Sequence, residues 1–251
     1  MKTPGIVWVV IATGFSLPPL GWTEMNEARA IFASGEGPTV VFETPDSTAA
    51  LHQARQPSKL QSSVAQQTVA PQERYMGLSY WVELLGSSGE HRRVTTERLF
   101  RSGDRVQLNI MSNRDGYLYI VNFDSTGRSQ LLFPHSASSA GNNLIRANTR
   151  YEVPPETHLR FDADSGEETI LMMFSPSPLA GVPALPLPQT LALSKEDTER
   201  LAVIAYLKGA KDLLLEVDPA SPQPASYVVA PMSMLESGGQ VISLQIKLKH
   251  R

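Results

Sequence analysis

The 251-residue chain contains no cysteine, which excludes disulfides, thiolate metal sites, a cysteine nucleophile and a lipid anchor carried on cysteine. A dominant charge is missing too. Its 22 basic and 25 acidic residues leave a formal charge of −3, and no basic run exceeds Arg92-Arg93. The electrostatic footprint of a nucleic-acid binder is therefore absent. No Gly-x-Ser-x-Gly elbow, helical zinc-protease histidine pair, phosphate loop or dinucleotide glycine pattern occurs, and no internal repeat is found.

Hydrophobic residues make up 41% of the chain, slightly below the usual globular share. At this length a sizeable core is available with room left for unpacked chain. Met1-Lys2 followed by the apolar run Ile6 to Leu17 and broken by Pro18-Pro19 predicts a secretory signal or N-terminal anchor over residues 1–22. The run is shorter than the roughly 20 residues of a membrane span. Residues 23–74 are expected to hold a short helix within 24–34, an isolated strand at Val40–Phe42, and a flexible linker rich in Ser, Thr, Gln and Ala.

The folded part is expected at residues 75–251. Leu78 to Leu85 is read as its first strand. Val106–Met111, Tyr117–Phe123 and Gln130–Phe133, separated by turn-tolerant residues, predict a three-stranded antiparallel meander. Tyr117 to Phe123 is apolar on both faces, as in a central strand covered on both sides. Short strands are expected at Leu144–Arg146, Thr149–Val153 and Leu159–Phe161, and a longer one at Thr169–Ser175. Five prolines in Pro176 to Pro188 predict a surface crossing.

Ser194 to Gly209 predicts a helix, with Ser194 as cap, Asp197 at the reciprocal position and Gly209 as stop. Its half Leu201 to Leu207 is apolar around most of the circumference and should lie against the sheet. Tyr227–Ala230 and Val241–Leu248 complete the strands. In the second, Ile242, Leu244, Ile246 and Leu248 alternate with Ser243, Gln245, Lys247 and Lys249.

The runs Phe100 to Val106, Gly116 to Tyr119 and Leu131 to Pro134 resemble the bacterial family called domain of unknown function 4384. So do Asn143-Leu144-Ile145, Val153-Pro154, Gly166-Glu167 with its following strand, and Ser175 to Pro178. The resemblance covers about Leu78 to Ser177. His135 departs from it, since the family more often has Asn or Asp after Phe-Pro. The resemblance implies an extracytoplasmic, β-rich accessory domain and supplies no catalytic residues.

Several residues invite a chemical role. His135 beside Ser136 is the best placed of five scattered histidines, yet a loop pair of this kind is ordinarily polar surface. Asp104 after Gly103 suits a turn in which the carboxylate binds backbone amides. Tyr117 and Tyr119 share a face with Val121 and Phe123, which favours core packing over a sugar platform. The stretch Phe161 to Glu168 superficially resembles a calcium loop. It lacks the full ligand set and suits a hairpin turned at Asp164-Ser165-Gly166, so no calcium site is expected.

The sequence thus predicts a mainly β fold: an antiparallel β-sandwich, immunoglobulin-like in architecture, with one packed helix at 194–209. No catalytic, cofactor-binding or metal-binding residue is assigned, and no cofactor is expected. The expected function is an exported, non-catalytic binding or assembly module of the cell envelope, in the periplasm or at the cell surface. Its partner would be an envelope protein or polysaccharide, with membrane contact only through the N-terminal segment. The alternatives are a hydrolase of envelope polymers with an unrecognised site and a purely structural envelope component.

Overall fold

Alternating apolar and polar side chains build two antiparallel sheets in the computed structural model, which describes residues 27–37, 72–135, 142–179, 191–211, 213–217, 221–237 and 239–251. The expected signal segment, the Val40–Phe42 strand and most of the linker and of the proline-rich crossing lie outside the described residues.

The first sheet is centred on β1 (Tyr75–Leu85) and β3 (Arg105–Ser112), which pair from Leu78↔Ser112 to Leu85↔Arg105. The other edge of β1 carries β12 (Ser226–Pro231) and then β2 (His91–Val94). Beyond β3 lie β7 (Tyr151–Val153) and β8 (Leu159–Arg160), and β11 (Leu214–Val217) flanks β12. The second sheet is centred on β4 (Gly116–Phe123) and β9 (Gly166–Ser175). Next to β4 are β5 (Ser129–Phe133) and β6 (Leu144–Ile145), with β10 (Leu191–Ala192) outside β5. Strand β13 (Ile242–His250) forms the opposite edge, paired with β9 along its full length.

The sheets close on one core. Leu78, Tyr80 and Val82 of β1 and Val106, Leu108 and Ile110 of β3 meet Leu118 and Ile120 of β4 and Ile170, Met172 and Phe174 of β9. The opposite face of the second sheet, with Tyr119, Val121, Leu171 and Met173, is covered in part by α2 (Lys195–Lys208). Strand β4 is therefore buried on both sides, as its composition predicts. Ser194 caps α2 by accepting the Asp197 N–H. A short helix α1 (Glu27–Ser34) seats Ala28, Ile31 and Phe32 on Val229 of the first sheet, and α3 (Met232–Ser237) follows β12. Among the described residues no helix is long and apolar enough to cross a membrane.

Three sequence expectations change. Residues 106–133 are not a three-stranded meander, because β3 and β4 belong to different sheets and only β4–β5 is a hairpin. The reason lies in the residues between them. Asn113 accepts the Gly77 N–H at 2.8 Å, and Arg114 Nε donates to the Tyr75 carbonyl at 2.8 Å, so the turn binds β1 instead of closing a ladder. The chain then crosses through the core at Gly116, where a Cβ would stand 2.3 Å from Met76 Cε and 2.6 Å from Phe174 Cε2. Only glycine fits that approach.

The segment around Asp164 is likewise a crossing and not a hairpin, since β8 lies in the first sheet and β9 in the second. Asp162 turns it locally by accepting the Asp164 N–H at 3.1 Å. Helix α2, finally, buries Leu201 but leaves Tyr206 85% and Leu207 72% exposed. Its apolar half is broader than the surface that it covers.

Candidate functional site at the open end of the sandwich

The inward rows of three neighbouring strands each end in a polar residue. On β4, Leu118 and Ile120 are followed by Asn122. On β9, Phe174, Met172 and Ile170 lead to Glu168. On β13, Ile246 and Leu248 lead to His250. A strand projects every second side chain to one face, so these three polar groups gather where the inter-sheet core opens. Asn122 Nδ2 donates to Glu168 Oε2 at 2.8 Å, and His250 Nε2 lies 3.8 Å from Glu168 Oε1.

The end of β13 is held by the segment before β3. The Phe100 N–H donates to the Lys249 carbonyl and the Ser102 N–H to the Arg251 carbonyl, both at 2.9 Å. Phe161 stacks on Phe100 and on His250, each at 4.9 Å between centroids. Gly103, at φ +87°, makes the turn that brings this segment back, and Asp104 accepts the Arg101 N–H at 3.0 Å. Asp104 is thus a turn residue, as its sequence context predicts.

A cavity of about 320 Å³ opens above these groups, walled by Asn122, Asp124, Arg128, His158, Arg160, Phe161, Asp162 and Glu168. Asp124 accepts from the Arg128 guanidinium at 2.7 Å and from the backbone N–H groups of Thr126 and Arg128, both at 2.9 Å. Burial pushes the Glu168 carboxyl above the ordinary range; the Asp124 charge adds to this, while the Asn122 amide and His250 oppose it. Burial also pulls the His158 imidazole down, helped by the charges of His91 and Arg105. Among the described residues, Asn122 Oδ1, His158 Nε2 and both ring nitrogens of His250 have no hydrogen-bond partner.

Asn122, His158 and Glu168 line the cavity with groups suited to a polar ligand while His250 lies buried beneath them, and Glu168 is biased towards the form that can give up a proton. Among the described residues no group of three or more His, Asp or Glu side chains has the arrangement of a metal site.

A second polar cluster lies on the outer face of the first sheet. Glu83 accepts from the Trp81 indole at 2.8 Å and from Arg150 at 3.2 Å, with His91 at 3.4 Å and Arg93 at 3.9 Å. Arg93 lies 4.1 Å above the Trp81 ring, and Arg150 Nε donates to Asn109 at 2.8 Å. Glu152 takes a further ion pair from Arg150. Here acid and base partner each other, and the Arg93 side chain lies over the Trp81 ring.

The residues singled out from sequence do not assemble this site. His135 stands after β5 and outside the cavity, and Ser136 lies outside the described residues. Tyr119 is buried and Tyr117 half-buried on the helix-covered face, which is the core role expected of them. From the acidic stretch, Asp162 reaches the cavity from the crossing after β8 and Glu168 from β9. Glu168, Asn122 and His250 were legible in principle as the point where each period-2 apolar row turns polar.

Residues 99–178 match the family described as Domain of unknown function (DUF4384). The match is confined to this segment, less than half of the chain. It runs from the approach to β3 to just past β9, beginning later than the resemblance read from sequence. The DUF4384 segment supplies Asn122, Asp124, Arg128, His158, Arg160 and Glu168, whereas β1, α2 and the His250 strand lie outside it. No curated protein and no solved structure matches the chain.

Proposed function

We propose that the chain is an exported, non-catalytic binding or assembly module acting in the cell envelope, with the open end of the sandwich as its ligand site. The observation that carries this reading is the convergence of Asn122, Glu168 and His250 beneath a polar-walled cavity of about 320 Å³. Sandwiches present binding sites at such ends because rigid strands hold side chains that loops then surround. The apolar N-terminal run and the bacterial family resemblance support the extracytoplasmic setting. The test is a fusion of residues 1–74 to a reporter active only after export, together with capture of envelope components on the full chain. Active reporter and stoichiometric, unprocessed binding are expected. Inactive reporter with cytosolic capture overturns the reading.

One observation favours a hydrolase of envelope polymers as the second reading. Glu168 is a carboxyl whose pKa is raised by burial in a cleft, which is what a general acid requires. Release of new polymer ends by the wild type, lost in Glu168→Gln, would establish it in place of the first.

A further inference from the structure

The charge and hydrogen-bonding pattern of the end cavity narrow the ligand that fits it. On the rim, Arg128 and Arg160 stand against Asp124 and Asp162, two charges of each sign. Below, Asn122 is only 8% exposed; its amide N–H is spent on Glu168 and its carbonyl oxygen has no partner among the described residues. His158 Nε2 is similarly buried and unpaired. The cavity wall is mostly polar or charged, and an apolar occupant would desolvate those groups without pairing them. A charged ligand would meet a rim without net charge above a desolvated carboxyl. A neutral polyol supplies donors and acceptors together and needs no counter-charge.

Size and shape point the same way. About 320 Å³ is at the lower end of the roughly 300–1,000 Å³ of small-molecule sites, enough for one ring. Phe161 stacks on Phe100 and His250 and is itself buried, so recognition runs through hydrogen bonds and not through ring stacking. We propose that the open end of the sandwich binds a single neutral saccharide unit, contacting Asn122, His158 and Glu168 on the floor and Arg128 and Arg160 on the rim. This rests on the reading of the chain as a binding module and names its ligand class.

The test titrates the full chain by ligand-observed NMR with N-acetylglucosamine and galactose as neutral probes, and with glucuronic acid and glucosamine as charged ones. At least one neutral sugar is expected to bind, with the charged sugars at least tenfold weaker. Arg160→Ala, an exposed rim change, is expected to weaken binding at least fivefold, and Asn122→Leu to abolish it. If Asn122→Leu does not fold, Arg160→Ala and the wild-type series decide. Absence of binding by either neutral sugar, tighter binding of a charged one, or unchanged affinity in the variants overturns the assignment. Envelope capture that persists without sugar binding refutes this ligand and leaves the binding-module reading standing; loss of both refutes both.

Discussion

Asn122 and Glu168 meet diagonally across β4 and β9: Asn122 stands opposite Ile170 in the ladder, yet its amide donates to Glu168 Oε2 at 2.8 Å. The contact seals the point where the apolar interior gives way to the cavity. Because burial raises the Glu168 pKa, the native state holds this proton more tightly than the unfolded chain. Stability from this group is then full below the ordinary value of 4.5 and is lost as pH rises through the folded value. Glu168→Gln keeps an acceptor for Asn122 and removes the titration. Its melting temperature should fall less than that of the wild type as pH rises from about 4 to about 8. Parallel melting curves for the two proteins would refute the linkage.

Ile120 and Leu132 are 0% and 1% exposed in the inter-sheet core. Ile120→Asp or Leu132→Asp would place a carboxylate there without a partner, at a cost of several kcal/mol. Marginal domains have about 5–15 kcal/mol in total. Neither variant should give a cooperative thermal transition, and an unchanged melting point in either would mean that the residue is not in the core.

Asn113 holds the corner between the two sheets. Its Oδ1 accepts the Gly77 N–H and its Nδ2 donates to the Tyr75 carbonyl at 3.3 Å. Asn113→Ala strands the Gly77 N–H, while the Tyr75 carbonyl keeps the Arg114 guanidinium, and chemical denaturation should show a loss of about 1–3 kcal/mol. Asn113→Asp keeps the acceptor and should lose less.

On the outer face, Glu83 is 8% exposed and faces Arg150, Arg93 and His91. Glu83→Ala leaves these basic groups without their shared acid and the Trp81 indole without its acceptor. A destabilisation of about 2–3 kcal/mol is expected, along with a shift in Trp81 fluorescence as Arg93 loses its anchor above the ring.

Helix α2 separates burial from composition. Leu201 is 2% exposed among Tyr119, Val121 and Met173, while Leu207, on a different face of the same helix, is 72% exposed. Leu201→Ala should cost about 2–4 kcal/mol, and Leu207→Ala should stay within about 0.5 kcal/mol. Equal effects in denaturant melts would mean that both positions are packed.

The strands were legible wherever apolar residues run or alternate over five or more positions, as in Tyr117–Phe123, Thr169–Ser175 and Ile242–Leu248. The cap of α2 was legible because Ser194 and Asp197 act within one turn of chain. Strands β2 and β11 escaped notice: each is four residues long, and His91–Val94 carries two arginines. Their conformation is imposed by the neighbouring strands and not by their own pattern. The site was hidden for a similar reason. His250 is the last residue of β13 and Glu168 stands near the start of β9, so each looks in isolation like the polar end of an element.

Local sequence determined which segments extend, which face of each is apolar, and where Ser194 starts a helix, because propensity, capping and alternation act over a few residues. Tertiary structure alone decided that β3 and β4 part into different sheets, that Asp162 and Glu168 line one cavity, and that Tyr206 and Leu207 stay exposed. Those outcomes depend on partners far apart in the chain. Asn113 serves the Gly77 and Tyr75 backbone, 36 and 38 residues away, in preference to a neighbouring ladder, and no local pattern encodes that choice.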